Sequence, residues 1–541
     1  MTTIQELTSA GQQLEAALHK YVDACSTFAN SYPGHVENPS VDLIIDQVQA
    51  TLSHESKIQE ARIILNRARN RSAIVPINSL PLEILGNIFK LVLESQCCVF
   101  RHLIGKDQSK NSHLMYPELL SHVCSHWRQL SISLCPLWSH IDLPPIKQLT
   151  QFVNGFVNKN LLARAKVFVA RAGSTQLDVH LFQPDGRCES DIDFTDLYSL
   201  VAPHMRSLDL KANICSHYIL ALQHFLANSS PGLLKELSIR DRATPAHSYI
   251  EPREVHFDLN HWSLDMPQQA LDEVLLPINV LRLNGIFFRP ESQAYQGLVE
   301  LVIRPQAKLP RITESRLIQI LESSPRLHTL CIGVLIEDID LLDPPRSVVT
   351  LNELEVLNLI QMRNHKPECL LRLIAPGPKP LRLMLGVRDN LMNLLRHEWL
   401  QGFFARSNVT ELLVRGKDTS LELYKLLEYL PSLRIVSLSS FVLKGTRTPS
   451  DTYEQCIQRS QLEALYLLQC EIDPNHFLWM AEVNRTRPIV LKIWNCLWYD
   501  TDDCMCGDDS LQKELSVIFP IKKNNPPCSS VSQDGTLFIW D

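Results

Sequence analysis

Long apolar runs are missing from this 541-residue chain. No stretch of about 18 apolar residues occurs, so no membrane-spanning helix is expected. A surplus of basic charge is missing as well. The formal net charge of -7 is mild for the length, and it gives no electrostatic footing for nucleic acid or an anionic membrane, both of which favour clustered Lys and Arg. The start, Met1-Thr2-Thr3-Ile4-Gln5-Glu6, lacks the basic residues and apolar core of a secretory signal. Asn-x-Ser/Thr triplets at Asn228, Asn408 and Asn484 therefore read as chance matches. Cysteine is not scarce, at 15 residues, but it is scattered among apolar neighbours, as in Leu330-Cys331-Ile332. There a free thiol acts as a small hydrophobe. These features point to a reducing intracellular compartment, cytoplasm or nucleus.

Signatures of catalysis are also absent. There is no Gly-rich phosphate loop and no Gly-x-Ser-x-Gly elbow. His122 and His126 stand four apart with Cys124 between them, but the Glu of a zinc-protease helix is missing. Cys97-Cys98 and Cys504-x-Cys506 have no second pair at zinc-finger spacing. No pair of carboxylates stands out as an acid–base site. The expectation is a chain that is no enzyme and holds no metal or cofactor.

What is present is ordinary globular composition, 45% hydrophobic and 21% charged, over a length that calls for several domains. Residues 1–73 read as helices. Ile4, Leu7, Leu14, Leu18 and Tyr21 recur at helical steps, and Ser31-Tyr32-Pro33-Gly34 breaks the run. A second stripe follows with Ile44, Val48, Leu52, Ile58, Ala61, Leu65 and Ala68, while Glu55, Lys57, Glu60, Arg62, Arg67 and Arg69 fall on its outer face. The two stripes suit an antiparallel hairpin within the chain or self-association as a coiled coil.

Residues 77–143 read as short helices. Ser79 precedes Leu80-Pro81-Leu82-Glu83, with Pro near a helix start and a carboxylate in the first turn. Ile84, Leu85, Ile88, Phe89 and Val92 make one apolar face, and Leu119, Leu120, Val123, Cys124, Trp127 and Leu130 make another. The polar stretch Ser95 to Ser112 lies between them.

From 170 to 498 the chain is repetitive. The pattern apolar-x-x-Leu-x-Leu recurs with its middle apolar residue at Val179, Leu208, Leu237, Leu281, Leu301, Leu330, Leu357, Leu383, Leu412, Val436, Leu465 and Leu491. Most intervals are about 24 to 29 residues, within the leucine-rich-repeat range. The step from Leu237 to Leu281 is long, so Thr244 to Asp265 is expected to bulge out or to hide a degenerate repeat. The step to Leu301 is short. Apolar residues two apart face one side of a short strand. Helical stretches such as Tyr218 to Leu226 and Glu314 to Leu321 intervene, so strand–helix units should stack into one continuous core.

Within this region Glu236 and Arg240, Glu300 and Arg304, and Glu411 and Arg415 share a spacing that places each pair opposite the buried leucines, on the concave wall of a solenoid. Tyr466 and Trp494 fall on the same wall. Arg240, Arg304, Arg415, Tyr466 and Trp494 are the candidate target-binding residues. The alternative is that the Glu and Arg side chains keep the face soluble and pair with neighbouring strands. Residues 499–541 form a C-terminal tail. Its Asp500 to Gly507 stretch is acidic and turn-like, and its end, Ser532 to Asp541, is similar to a single WD-type hairpin, too little to build a propeller.

Leu80-Pro81-Leu82-Glu83-Ile84-Leu85, Ile88-Phe89, His122-Val123-Cys124-Ser125-His126-Trp127-Arg128 and Leu137-Trp138 follow one another in an order that resembles the F-box. The sequence of helices, F-box-like segment and repeats is similar to the fungal F-box proteins with leucine-rich repeats. That resemblance implies a substrate receptor of an SCF-type ubiquitin ligase, attached to a Skp-type adaptor and through it to a cullin. By motif match, Leu80, Pro81, Ile84, Leu85, Ile88 and Phe89 would form the first part of the docking face. Val123, Cys124 and Trp127 would complete it or pack beneath it. The Ser95 to Ser112 stretch departs from the family pattern as an insertion that could fold across that face. A repeat scaffold without any ligase is the competing expectation. The fold class expected throughout is α/β: a helical hairpin, a small all-α F-box, and a leucine-rich-repeat solenoid with parallel strands inside and helices outside.

Overall fold

A computed structural model describes residues 2–31, 39–71, 76–95, 117–143, 156–182, 195–212, 216–241, 248–252, 261–305, 309–337, 347–362, 367–387, 391, 395–421, 423–443, 461–472, 489–494 and 496–498. Most of the Ser95 to Ser112 insertion, Cys97-Cys98 and the whole tail from 499 lie outside the described residues. Contacts divide the chain into two units, Met1–Leu85 with Cys124–His126, and Gly86–Val123 with Trp127–Asp541. The division runs through the F-box-like segment.

In the first unit, helices α1 (Thr2–Ser31) and α2 (Pro39–Arg71) follow the two apolar stripes. The short connection between them favours antiparallel neighbours. The Tyr21 hydroxyl lies 3.3 Å from Gln47 Oε1 and 3.3 Å from Thr51 Oγ1. Tyr21 stands about as far before the turn as those two residues stand after it, which fixes the antiparallel hairpin. Two helices cannot cover their own stripes. Ile4, Leu7, Leu14, Leu18, Val48 and Leu52 all remain exposed.

Helix α3 (Leu82–Ser95) carries the F-box-like opening, followed by α4 (Glu118–Val123) and α5 (Ser125–Ser133). Their docking onto the repeats is visible within the second unit. Arg164 of α6 (Phe156–Ala172) grips Glu118 with Nε–Oε1 at 2.5 Å. Trp138 is fully buried; its indole N–H donates to the Ser131 carbonyl at 2.8 Å, and its ring meets the Phe168 ring edge-on at 5.0 Å. The Arg171 guanidinium sits 4.2 Å above the Trp138 ring, a cation–π contact on the other side of the same residue.

The second unit is mixed α/β and is built on a parallel sheet. In chain order its strands are β1 (His140–Leu143), β2 (Leu177–Phe182), β3 (Met205–Ala212), β4 (Glu236–Asp241), β5 (Ser248–Pro252), β6 (His261–Leu264), β7 (Val280–Asn284), β8 (Ile286–Phe288), β9 (Glu300–Arg304), β10 (Arg311–Thr313), β11 (Thr329–Ile332), β12 (Leu335–Glu337), β13 (Val349–Leu351), β14 (Val356–Leu359), β15 (Ile374–Pro376), β16 (Leu381–Gly386), β17 (Val409–Leu421), β18 (Ile435–Leu443), β19 (Ala464–Leu468), β20 (Glu471–Ile472), β21 (Val490–Trp494) and β22 (Leu497–Trp498). The main sheet runs β1-β2-β3-β4-β7-β9-β11-β14-β16-β17-β18-β19-β21, each strand beside the next repeat's strand.

Every middle apolar residue of the repeat pattern is a direct partner of the next. Val179 pairs with Leu208, Leu208 with Leu237, Leu237 with Leu281, and so on through Leu301, Leu330, Leu357, Leu383, Leu412, Val436, Leu465 and Leu491. These residues are buried, each worth roughly 1.5–3 kcal/mol of removed apolar surface. A one-residue slip would turn the whole set to the other face, so the pattern sets the register. The result is a leucine-rich-repeat-like solenoid.

The ladder begins one strand earlier than the sequence pattern indicates. Ile141 of β1 pairs with Val179, which places the end of the F-box-like segment inside the repeat sheet. The long step is resolved as a bulge, since β4 pairs directly with β7 while β5, β6 and β8 form a separate three-stranded parallel sheet. The short step to Leu301 has a single 3-10 turn, Gln293–Tyr295, where the repeats on either side have the helices Gln268–Leu275 and Glu314–Glu322. At the end of the repeat strand, Gly285, Ser440 and Gln469 take left-handed backbone with φ of 82°, 61° and 50°. All three stand four residues after their middle apolar residue, where the chain kinks from the main strand into the next short segment.

Candidate functional site

Alternation along the ladder puts one set of side chains opposite the leucines, and this face holds the candidate target-binding residues. Its character changes along the sheet. At the β1 end, His140 and His180 lie with ring centroids 4.5 Å apart. His140 Nε2 is 3.0 Å from Asp142 Oδ1, and Asp209 Oδ2 is 3.6 Å from both His180 Nδ1 and Lys211 Nζ. Burial alone would raise the Asp209 carboxyl, but the His180 imidazole and the charges of Lys211 and Arg240 outweigh it and hold it well below the usual carboxylate range. On β2, two residues before His180, Asp178 goes the other way. Burial raises it, and the opposing charges of Arg206, His140 and His180 do not cancel that effect.

The middle of the face is a chain of cross-strand ion pairs. Arg282 donates from Nε and Nη2 to the Glu300 carboxylate at 2.6 Å each, and its Nη1 is 3.9 Å from Glu236. Arg206 reaches the same Glu236 at 3.1 Å, and Arg382 donates to Glu411 at 2.5 Å. The recurring Glu residues are thus taken up by Arg from adjacent strands, and the Arg282–Glu300 pair has the bidentate geometry in which Arg is strongest. Glu236, Glu300 and Glu411 share one row of the register, and Arg240, Arg304 and Arg415 share another. Arg240 lies in the field of Asp209, and Arg304 hydrogen-bonds the buried Cys331, whose thiol burial pushes up. The Glu row is thus engaged by Arg206, Arg282 and Arg382, while Arg240, Arg304 and Arg415 stand in a separate row.

At the β21 end the face turns apolar. Tyr466 and Trp494 stack with centroids 6.0 Å apart and planes 10° from parallel. Lys492 Nζ lies 4.9 Å from the Tyr466 ring centre. Ala464, Tyr466 and Leu468 form a cluster flanked by Ile435, Val490 and Trp494. The two aromatics singled out from the sequence are therefore brought together as one plate.

The residues of the F-box-like motif separate by burial. Leu85 and Phe89 are 0% and 1% exposed, whereas Ile84 and Val123 are 48% and 51% exposed. Pro81 is exposed, and Leu80, Ile88, Cys124 and Trp127 are half-buried. Leu85 and Phe89 are therefore core residues in this conformation, with the Phe89 ring 4.9 Å from the Trp127 ring. Leu91, Val92 and Leu119 add exposed apolar surface on α3 and α4.

No protein-family model matches the chain, and no curated protein matches it. Among solved structures, the chain is similar to the leucine-rich repeat-containing protein LegL7 from Legionella pneumophila. The two share 12% identity over 64% of this chain and 99% of that one, with a TM-score of 0.23. Assignment of the repeats rests on the register of the ladder. Among the described residues no group of three or more His, Cys, Asp and Glu could hold a metal ion, and no helix is long and apolar enough to cross a membrane.

The His140, His180 and Asp209 cluster was not singled out from the sequence. Its signal was the β1 strand itself: Trp138, Ile141 and Leu143 repeat the apolar spacing of the later repeats, and extending the register by one rung sets the two histidines side by side.

Proposed function

We propose that this chain is the substrate-recognition subunit of an SCF-type ubiquitin ligase. It would bind a Skp-type adaptor, and through it a cullin, by the 77–143 segment and a target protein by the repeat face. The observation that carries this reading is on α3. One side of the helix buries Leu85 and Phe89 completely, while Ile84 and Leu91, seven apart on another side, stand exposed. Apolar side chains held in solvent on a short, well-anchored helix are what a partner covers. On this reading Pro81, Ile84 and Val123 contact the adaptor, Leu80, Ile88, Cys124 and Trp127 flank the contact, and Leu85 and Phe89 hold the surface from beneath.

The target would meet the face opposite the leucines, along Arg240, Arg304 and Arg415, with half-buried Trp494, backed by the buried Tyr466 ring, as its apolar anchor. The chain itself performs no chemistry, and no cofactor enters the account. Ubiquitin transfer would come from the tethered conjugating enzyme, because a captured target holds its lysines at high effective concentration. The exposed stripes of α1 and α2 are proposed to join two copies of the chain. A repeat scaffold without a ligase is the second reading, favoured by the self-neutralised Glu–Arg rows that make the face a generic protein-binding wall.

Adaptor co-purification separates the two. Full-length chain should recover a Skp-type adaptor from lysate, and the Ile84→Glu, Val123→Glu variant should not. Recovery by both or by neither defeats the docking assignment. Proximity labelling by the intact chain, against a chain with Tyr466→Ala and Trp494→Ala, reports the target side separately.

A further inference from the structure

The last two repeats bring two cysteines onto one rung. Cys470 stands two residues after Leu468, and Cys496 two residues after Trp494, and Leu468 is the register partner of Trp494. The pairing resumes in the same register one residue later, where Glu471 faces Leu497. Cys470 and Cys496 are therefore equivalent positions on adjacent parallel strands, which lie about 4.8 Å apart, within the Cα separation that a disulfide spans. The left-handed backbone of Gln469 turns Cys470 inward, where it is fully buried, while Cys496 is half-buried. The Cys470 N–H donates to Cys496 Sγ at 3.4 Å, so the Cys496 sulfur is aimed at its neighbour. The Cys470 thiol lies 3.4 Å from the carbonyls of Leu438 and Leu468.

We propose that Cys470 and Cys496 form a redox-responsive dithiol, oxidised by a hydroperoxide to a disulfide that staples the last two rungs behind the Tyr466–Trp494 plate. Cys496, the sulfur open to solvent, hands its proton across to the Cys470 sulfur as it attacks the peroxide; the O–O bond breaks, and an alkoxide or hydroxide leaves and takes up a proton. The resulting sulfenic acid on Cys496 is attacked by the deprotonated sulfur of Cys470. The S–S bond forms as the S–O bond breaks, and the hydroxyl leaves as water. Two thiols are oxidised by two electrons and one peroxide bond is reduced.

Loss of the first proton is shared by the pair. A hydrogen bond between the two sulfurs lowers Cys470 and raises Cys496, because the remaining S–H solvates the sulfur that has been deprotonated. The first proton is therefore lost from the Cys470 side of the pair.

The test uses the full reduced chain treated with hydrogen peroxide, then alkylated, digested and mapped by mass spectrometry. The expected result is a dithiothreitol-reversible cross-linked peptide joining Cys470 to Cys496, formed at least about tenfold faster than oxidation of the exposed single thiol Cys25, as expected of two sulfurs the fold already holds within reach of each other. Amide exchange over 490–494 should slow in the oxidised chain. The Cys496→Ser variant should lose both effects. Separate alkylation of the two cysteines once Cys25 is oxidised, over-oxidation of Cys496, a cross-link to another cysteine, or a cross-link without slowed exchange would each overturn the proposal.

Discussion

The Phe89 ring packs against the Trp127 ring at 4.9 Å and 58°, joining the apolar underside of α3 to the residue that completes the F-box-like motif. Phe89 is therefore a structural residue in this conformation. Replacement by Ala should destabilise the chain by about 3–5 kcal/mol, read from denaturant unfolding. Ile84→Glu, on the exposed side, should stay within about 0.5 kcal/mol of wild type. Equal losses for the two variants would mean that α3 is oriented differently from this description.

Glu314 and Arg372 form an ion pair with both side chains buried. Such pairs add little relative to an apolar pair, yet removing one partner strands a buried charge. Arg372→Met should cost about 3–5 kcal/mol, whereas the double variant Glu314→Leu, Arg372→Met should recover most of it. A double-mutant cycle on thermal unfolding measures this. Additive losses would contradict it.

The two aspartates near His180 give opposite pH signatures. Asp209 is depressed in the folded chain, so its stabilisation is present above the unfolded carboxylate range near pH 4 and is lost as pH falls towards the lower folded value. Asp178 is raised, so its ionised form opposes folding, and the opposition disappears as pH falls. Asp209→Asn should therefore destabilise at neutral pH and flatten the acid limb of the stability curve. Asp178→Asn should stabilise at neutral pH. Unfolding midpoints between about pH 7 and 3 read both effects.

The exposed stripes of α1 and α2 predict self-association. Helix α2 is acidic early, with Asp42, Asp46 and Glu55, and basic late, with Lys57, Arg62, Arg67, Arg69 and Arg71. Antiparallel packing against a second copy would match these halves. Sedimentation of the full chain should give a dimer, and Leu14→Glu with Leu52→Glu should give a monomer. A monomeric wild type at micromolar concentration would refute it.

The repeat core was legible because a period-two strand pattern leaves no freedom: each middle leucine found its partner in the next repeat. The rung at Ile141 was hidden because Leu137-Trp138 already belonged to another motif, and Trp138 serves the core of both. Burial of Leu85 and Phe89 was harder to read. A helix with apolar residues on most sides shows which residues are apolar but not which side is covered. Spacing shows that Arg240, Arg304 and Arg415 share a row, but the partners of the Glu row, such as Arg282 for Glu300, come from other strands and could not be read from one segment. The His140–His180 contact and the Cys470–Cys496 pair depend on residues far apart in sequence, and only the register brings them together.

The most direct test of the proposed receptor role is binding of a purified Skp-type adaptor to the full chain by titration calorimetry, with unfolding curves recorded on the same samples. Ile84→Glu with Val123→Glu should reduce affinity by at least about tenfold, a loss of about 1.4 kcal/mol, with the unfolding midpoint unchanged. Undiminished binding by that folded variant, or no binding by the wild type, would contradict the account.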